Sequence, residues 1–340
     1  MQFSDKNIAS SQTIVSEAPL IPNNNFKRPF ICQKVVEFCY CCGIGWLFEK
    51  PNSIKPCHNS NASYMWCNSD ICGSICALFT WLLILHPCFV LLFIVFIPVD
   101  SNYFRIINGF IFYFLAIMAM LSHIKSVFTD PGTVEKGNAT EENIEKLQIS
   151  DRPMVRCVKC NSIKPSRAHH CSVCQRCVRK MDHHCPWINN CVGEDNQKYF
   201  IMFTFYIFLM SAFALYICVH FFILCVKDEW KDFFEQKELM LKNWFEFSPL
   251  TKSLLLLSVA FESFIFGLFT LIMCITQLCS IANDRTGIES LVKDSPKSER
   301  KSCWLNINTV FSEPFSWRWF CPLAIHNLKA KNYENELHVV

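Results

Sequence analysis

Residues 157–191 read CVKCNSIKPSRAHHCSVCQRCVRKMDHHCPWINNC, and the spacing of their cysteines and histidines organises the chain. One set of four has successive separations of 3, 10 and 7 residues: Cys157, Cys160, His170 and Cys177. A second set repeats these separations 14 residues later: Cys171, Cys174, His184 and Cys191. Three thiolates and one imidazole fill a closed tetrahedral zinc site, so the repeat predicts two structural zinc ions in interleaved sites. The ligand pairing stays open at one point, because His169 or His183 could replace the neighbouring His170 or His184.

One cysteine of this stretch, Cys185, is left over once the eight ligands are assigned. It follows Asp182 and His183, and these three side chains are together the parts of an activated cysteine nucleophile. His183 can take the proton of the thiol, and Asp182 can orient and stabilise the resulting imidazolium. We therefore expect Cys185, His183 and Asp182 to be catalytic. Two other interpretations stay open at this point: a cysteine that exchanges with a zinc ligand, or an inert thiol.

The composition of the 340 residues indicates a membrane protein, because 51% are hydrophobic and only 18% are charged. A soluble domain carries about 25% charged residues. Four long runs hold almost no charged side chain: 75–97, 106–122, 200–226 and 254–282. A bilayer-spanning helix needs about 20 apolar residues, which the second run reaches only with its flanks. The predicted fold class is all-α integral membrane, with four transmembrane helices and a cytosolic cysteine-rich domain folded around two interleaved zinc sites.

The distribution of basic residues predicts the orientation of these helices. Of the 32 Lys and Arg residues, 26 lie outside the short loop 98–105 and the loop 227–253. Because loops rich in basic residues stay in the cytosol, this distribution places both termini and the long middle loop there. In that reducing compartment clustered cysteines bind metal or do chemistry, although 22 cysteines would otherwise suggest disulfides. The predicted regions follow in chain order: cytosolic 1–70, helices 1 and 2 in 71–124, cytosolic zinc domain 125–199, helices 3 and 4 in 200–282 with lumenal loop 227–253, and cytosolic tail 283–340.

The surroundings of Cys185 indicate its substrate. Trp187 and the start of the third apolar run at Phe200 place the thiol at the membrane boundary, where it can meet a fatty acyl thioester. Three basic side chains between the metal ligands can meet the phosphates of coenzyme A: Lys164, Arg167 and His169. Attraction to anionic lipid is the other explanation of this charge. Nucleic acid is not expected as a partner, because no aromatic residues are interleaved with the basic ones.

These motifs resemble one known family. The segments that carry the resemblance are Cys157-x2-Cys160, Lys164-Pro165-x-Arg167, His170-Cys171-x2-Cys174-x2-Cys177, Asp182-His183-His184-Cys185-x-Trp187, Asn190-Cys191-x-Gly193-x2-Asn196 and, upstream, Asp130-Pro131-Gly132. They look like the cysteine-rich domain of the DHHC protein S-acyltransferases, or palmitoyltransferases. Thr286-Gly287-Ile288-Glu289 and the tail around Asn306, Val310-Phe311, Pro314-Phe315 and Trp319 look closest to the Golgi-resident subgroup.

The resemblance implies a chemistry and a set of binding residues. Cys185 would take a long-chain acyl group from acyl-CoA, and a cysteine of a cytosol-facing substrate protein would then take it from Cys185. Asn306 would join the residues that bind acyl-CoA. Four residues would line the acyl cavity: Trp187, Phe200, Phe203 and Met210. Met210, about two turns deeper in its helix than Phe203, would limit the length of the chain.

Three positions carry further expectations. Gly287 stands where the family usually has a second threonine, so the resemblance implies that Thr286 or water holds the catalytic Asp182. Ser312 stands where the family has glycine. Glu262 interrupts the fourth apolar run, and we expect it to pair with His220, whose depth in the membrane is similar.

Two other functions compete with acyl transfer. A channel or transporter is disfavoured because the apolar runs contain few polar groups and no ladder of acids and histidines. A non-catalytic, membrane-tethered zinc module that recruits partners is compatible with both zinc sites. Only the spare Cys185 and His183 argue against it.

Overall fold

The computed structural model describes residues 68, 70–99, 101–148, 155–227, 247–291, 302–311 and 314–324. The predicted N-terminal region therefore lies almost entirely outside the described residues, and so do residues 228–246 of the predicted lumenal loop and Ser312. Within the described ranges, four helices are long and apolar enough to cross a membrane. These helices are α1 (Ile71–Leu91, continued by a π turn over Leu92–Phe96), α2 (Asn102–Phe128), α4 (Gln197–Lys227) and α5 (Pro249–Ala282). The predicted four-helix membrane fold is confirmed.

The helices extend beyond the limits of the apolar runs, and a polar cap marks the start of α1. Asp70 accepts a hydrogen bond from the Gly73 N–H, so α1 begins before its apolar run. α2 continues past the predicted limit at 124, where buried Ser126 donates its hydroxyl to the Ser122 carbonyl. α4 begins at Gln197, before the predicted 200. The helices thus reach beyond the apolar runs and carry polar residues to the zinc region.

The zinc region is built from three antiparallel β-hairpins that repeat every 14 residues. Their strands are β1 (Val155–Cys157) with β2 (Ser162–Lys164), β3 (His169–Cys171) with β4 (Arg176–Val178), and β5 (His183–Cys185) with β6 (Asn190–Val192). The turn of each hairpin contains one residue with a positive φ near 50°: Asn161, Gln175 and Asn189. The periodicity that predicted two metal sites therefore extends to a third structural unit. The protein contains these short strands in addition to the predicted helices.

Shorter helices complete the side of the spans on which the hairpins lie. They are α3 (Glu141–Gln148), α6 (Gly287–Leu291) and α7 (Cys303–Phe311). α7 and a 3-10 turn, Trp317–Phe320, pack on the adjacent ends of α4 and α5: the Tyr206 hydroxyl donates to the Phe320 carbonyl at 2.5 Å. The rings of Phe311 and Trp319 stack at 4.6 Å. The tail is thereby joined to the membrane helices.

The predicted pairing of Glu262 with His220 is wrong. The Glu262 carboxylate in α5 instead lies 2.6 Å from Nδ1 of His86 in α1. His220 in α4 stacks on the rings of Phe104 and Tyr216, with centroid separations of 5.2 and 5.9 Å. Depth alone led to the wrong partner, because it does not tell which face of a helix a side chain occupies.

Candidate functional site

The eight predicted zinc ligands form two clusters, each with its four ligand atoms within 4.8 Å of one another. In the first cluster Nδ1 of His170 lies 3.2–3.9 Å from the three sulfurs, and in the second Nδ1 of His184 lies 3.4–3.8 Å from its three. A tetrahedral zinc ion with ordinary bond lengths sets ligand atoms about 3.5–3.8 Å apart. The clusters therefore fit zinc, and His169 and His183 are in neither of them.

The second of the three hairpins contributes ligands to both metal sites. The first zinc site takes its ligands from hairpins one and two, and the second takes its ligands from hairpins two and three. Because successive side chains of a strand point to opposite faces, His184 in β5 faces the second metal while His183 and Cys185 share the other face. Metal binding on one face of β5 thus fixes the candidate catalytic groups on the other.

Asp182, His183 and Cys185 are brought together at the end of this hairpin. Nδ1 of His183 lies 2.7 Å from Oδ2 of Asp182, and the His183 ring meets the edge of Phe200 at 5.5 Å. Burial alone would lower the pKa of His183, but its hydrogen bonds with Asp182 and Cys185 raise that pKa to about 9. The ring therefore favours the imidazolium that stabilises a neighbouring thiolate.

The Cys185 side chain is buried and opens into an apolar cavity between the membrane helices. The cavity encloses about 730 Å³ of empty space, its open mouth included. All four residues that the resemblance assigned to an acyl cavity line it: Trp187, Phe200, Phe203 and Met210. Glu262 lies on its wall as well. A thiol that opens into an apolar space can hold a thioester, with the hydrocarbon tail of the acyl group inside that space.

Comparison with known proteins agrees with this geometry. Residues 152–294 match the model of the DHHC palmitoyltransferase family. Palmitoyltransferase ZDHHC3 of Homo sapiens is 46% identical over 272 residues, which cover 80% of this chain and 87% of that protein. The chain belongs to the DHHC palmitoyltransferase family. Palmitoyltransferase ZDHHC7 of Mus musculus is 43% identical over 269 residues, or 79% of this chain and 84% of that protein. Probable protein S-acyltransferase 13 of Arabidopsis thaliana is 32% identical over 249 residues, or 68% of this chain and 77% of that protein.

Membership of this family gives the chain its activity. It is an enzyme, a protein S-palmitoyltransferase. The non-catalytic scaffold is not favoured, because the relatives that match most of the chain are themselves named as palmitoyltransferases.

Asp182 of this palmitoyltransferase is held by partners that the sequence did not indicate. Its Oδ1 accepts from the Gly287 N–H at 2.5 Å, and its Oδ2 accepts from the Gln277 side-chain amide at 2.8 Å. Burial would raise the pKa of Asp182, but His183 and these two donors lower it. The Thr286 hydroxyl, which was expected to serve here if water did not, instead accepts from the Glu289 N–H at 3.3 Å. Gln277 was the available signal, as a polar residue inside the fourth apolar run.

The four residues assigned to acyl-CoA lie on the hairpin side of the membrane helices. Arg167 and Asn306 line one cleft, together with Lys180 and Arg285. The Arg167 guanidinium also pairs with Glu289 at 2.5 Å and Asp284 at 2.9 Å. The Asn306 amide donates to the Ala282 carbonyl at 2.9 Å.

The remaining two residues of this set, His169 and Lys164, interact with each other electrostatically. Burial, then the charge of Lys164, lowers the pKa of His169. The predicted residues thus lie on one side of the palmitoyltransferase. Arg167 and Asn306 also make contacts that stabilise the fold.

Asn190 and Gly193, two further residues of the sequence motifs, join the third hairpin to α2. The Asn190 amide donates to the carbonyls of Ser126, Val127 and Thr129, where α2 ends. At Gly193 an added Cβ would lie 2.4 Å from the Pro131 carbonyl oxygen, so this close approach requires glycine. The end of α2 and the third hairpin are therefore packed as one unit.

Proposed function

We propose that the palmitoyltransferase works through a thioester on Cys185 in two steps. In the first, the Cys185 thiolate attacks the carbonyl carbon of a long-chain acyl-CoA, the bond to the coenzyme A sulfur breaks, and His183 protonates the leaving thiolate. In the second, a cysteine of the substrate protein loses its proton to His183 and attacks the acyl carbon, and the Cys185 thiolate leaves. Asp182 holds His183 throughout. The observation that carries this proposal is the position of Cys185 at the cavity, beside a His183 hydrogen-bonded to Asp182.

Coenzyme A is proposed to bind near the cleft that Arg167 and Asn306 line, with Lys164 and His169 beside it. The cleft holds the cationic side chains of Arg167, Lys180 and Arg285 against the carboxylates of Glu194 and Asp284, and this excess of positive charge suits phosphate groups. Zinc is proposed to hold the hairpins in place through the two clusters of cysteine and histidine, and it takes no part in the acyl transfer.

The protein is proposed to lie in the Golgi membrane with both termini in the cytosol. The excess of basic residues on the side of the hairpins supports this orientation. Its substrates would then be proteins that present a cysteine at the cytosolic face of the membrane. The sequon at Asn138 tests the orientation: we expect no glycan there in cells, and a glycan at Asn138 would overturn it.

Labelled palmitoyl-CoA tests the acyl-enzyme directly. Purified zinc-loaded protein in detergent should form a covalent, hydroxylamine-sensitive label that is lost in Cys185→Ser. Cys218→Ser is the matched control, since Cys218 lies in α4 and does not line the cavity, and it should keep the label. Because other cysteines can accept acyl groups, the test is the difference in label between the variants and not the presence of label alone. Equal labelling of the wild type and Cys185→Ser would refute the proposal.

A further inference from the structure

A histidine that takes no part in the proposed chemistry lies against the catalytic turn. His123, in α2, is fully buried. Its ring packs against Phe203 of the cavity wall, with centroids 4.9 Å apart. A polar ring at such a place must satisfy both of its nitrogens to offset the cost of burial.

The two hydrogen bonds of His123 fix its tautomer. The Trp81 indole nitrogen, which can only donate, lies 2.8 Å from Nδ1 of His123. Nδ1 therefore carries no proton, and the proton of the neutral ring is on Nε2. Nε2 lies 2.9 Å from the carbonyl oxygen of Trp187 and donates to it. Trp81 in α1 thus decides which nitrogen of His123 is the donor.

The Trp187 carbonyl has few other donors within reach. It belongs to the 3-10 turn Pro186–Ile188 that directly follows Cys185. The Asn189 N–H closes this turn on the Pro186 carbonyl, not on Trp187. The Thr80 hydroxyl is 3.4 Å from the Trp187 oxygen but only 3.0 Å from its nearer acceptor, the Cys76 carbonyl. His123 is the closest described donor to this carbonyl, which a short helical turn leaves unsatisfied.

We propose that His123, held in one tautomer by Trp81, is a positioning residue for acyl transfer. By holding the Trp187 carbonyl, it fixes the turn that carries the Cys185 thiol at one end and the Trp187 ring on the cavity wall. The inference rests on the proposed acyl-enzyme at Cys185. Loss of the donor should slow the chemical step, since the thiol is misplaced, and leave acyl-CoA binding intact, since His123 does not line the cleft assigned to coenzyme A.

Two replacements of His123 separate the hydrogen bond from the volume of the ring. His123→Phe keeps an aromatic ring without a donor, and we expect kcat for acyl-enzyme formation from palmitoyl-CoA to fall about ten-fold with KM unchanged. His123→Gln supplies an amide donor and should recover most of that loss. The matched control is His220→Phe, which also replaces a histidine stacked on aromatic rings in a membrane helix and should react like the wild type. Zinc content should stay the same in all variants.

A double-mutant cycle tests the part of Trp81. Trp81→Phe removes the donor to Nδ1 together with part of the ring, which lets His123 adopt the other tautomer, and should lower kcat by a smaller factor. Because Trp81 acts through His123, adding Trp81→Phe to His123→Phe should cause no further loss. If His123→Phe fails to fold, Trp81→Phe and His123→Gln still test the hydrogen bond between His123 and the Trp187 carbonyl.

The outcomes are distinct from a failure of the proposed function. If the wild type forms no Cys185-dependent label, the acyl-enzyme itself is refuted. If the wild type is labelled and a folded His123→Phe reacts at the wild-type rate, only the positioning role is refuted. Additive effects of the two substitutions, or no recovery in a folded His123→Gln, would also overturn it.

Discussion

Asp182 receives three hydrogen bonds, one from the adjacent residue and two from distant parts of the chain. The His183 ring is its neighbour in sequence, Gln277 lies in α5, and Gly287 begins α6. Together these donors keep the carboxylate ionised and pointed at His183, which can then stabilise the Cys185 thiolate. The orientation of His183, the proposed catalytic histidine, therefore depends on the packing of α5 and α6 against the third hairpin.

Replacing Gln277 with Leu should slow acyl-enzyme formation about ten-fold, because a buried carboxylate loses one of its donors. The measurement is the single-turnover rate with palmitoyl-CoA, with the zinc content as a check on folding. Thr276→Val alters the neighbouring exposed residue, which does not contact Asp182, and should have the wild-type rate. A wild-type rate in Gln277→Leu would show that the other donors hold Asp182 without it.

Replacing Met210 with Ala should increase the use of stearoyl-CoA relative to palmitoyl-CoA. Met210 lines the cavity about two turns deeper than Phe203, so its removal lengthens the space for the chain. The measurement is the ratio of acyl-enzyme formed from the two substrates. Met202→Ala removes an equally buried methionine of α4 that does not line the cavity, and it should leave the ratio unchanged. An unchanged ratio in Met210→Ala would refute the role of Met210.

Among the helices, α1 and α5 are joined by a contact between a histidine and a carboxyl group at the level of the cavity wall. The His86 ring lies between two groups of α5, with Nδ1 2.6 Å from the Glu262 carboxylate and Nε2 3.4 Å from the Ser258 hydroxyl. In a membrane a carboxylate is costly unless it is paired, so this contact selects the face on which the two helices meet.

Glu262→Leu should destabilise the membrane bundle by about 2 kcal/mol, because it leaves Nδ1 of His86 without its hydrogen-bond partner. The thermal midpoint in detergent is the measurement, and Glu262→Gln, which keeps a polar partner, should lie between this variant and the wild type. Phe261→Leu changes the adjacent exposed residue and serves as the control. Unchanged stability and activity in both Glu262 variants would show that the pair has no structural role.

Sequence reasoning succeeded where the relevant distances along the chain are short. The zinc ligands lie within 35 residues and repeat at one spacing, so their pairing follows from local hairpins. Gln277 and Gly287 as partners of Asp182, and His86 as the partner of Glu262, were missed, since each contact joins elements far apart in sequence: His86 and Glu262 are 176 residues apart. Hydropathy gives the depth of such residues but not the rotation of each helix about its axis, which packing decides.

At the scale of the whole molecule, Arg167 connects the hairpins to the segment that follows α5. Its guanidinium bonds the Glu289 carboxylate at 2.5 and 2.8 Å, and it also donates to the side chain and the carbonyl of Asp284. Glu289 also accepts from the Thr286 N–H at 2.9 Å. Burial alone would raise the pKa of Glu289, but Arg167 and this N–H lower it.

Glu289→Gln should therefore lower stability more at neutral than at acid pH. A carboxyl whose pKa falls on folding contributes stability above its unfolded pKa, about 4.3, and loses it as the pH falls through the lower folded value. We expect the difference in thermal midpoint between wild type and Glu289→Gln to be large at neutral pH and to shrink in acid. Zinc release in acid affects both proteins and cancels in the comparison. A difference that is constant with pH would contradict the ion pair.

The 14-residue repeat of hairpins has a consequence for the origin of the nucleophile. Cys157, Cys171 and Cys185 each end the first strand of their hairpin, so the proposed nucleophile occupies the position of the first metal ligand in the two preceding units. Continuing the series by 14 residues, the places of its three co-ligands hold residues that do not bind zinc: Ile188, Lys198 and Phe205. The third unit therefore keeps one potential metal ligand, Cys185, and lacks the other three that a zinc site needs. The sulfur lone pair that binds a metal in the first two units is thus available to attack carbon in the third.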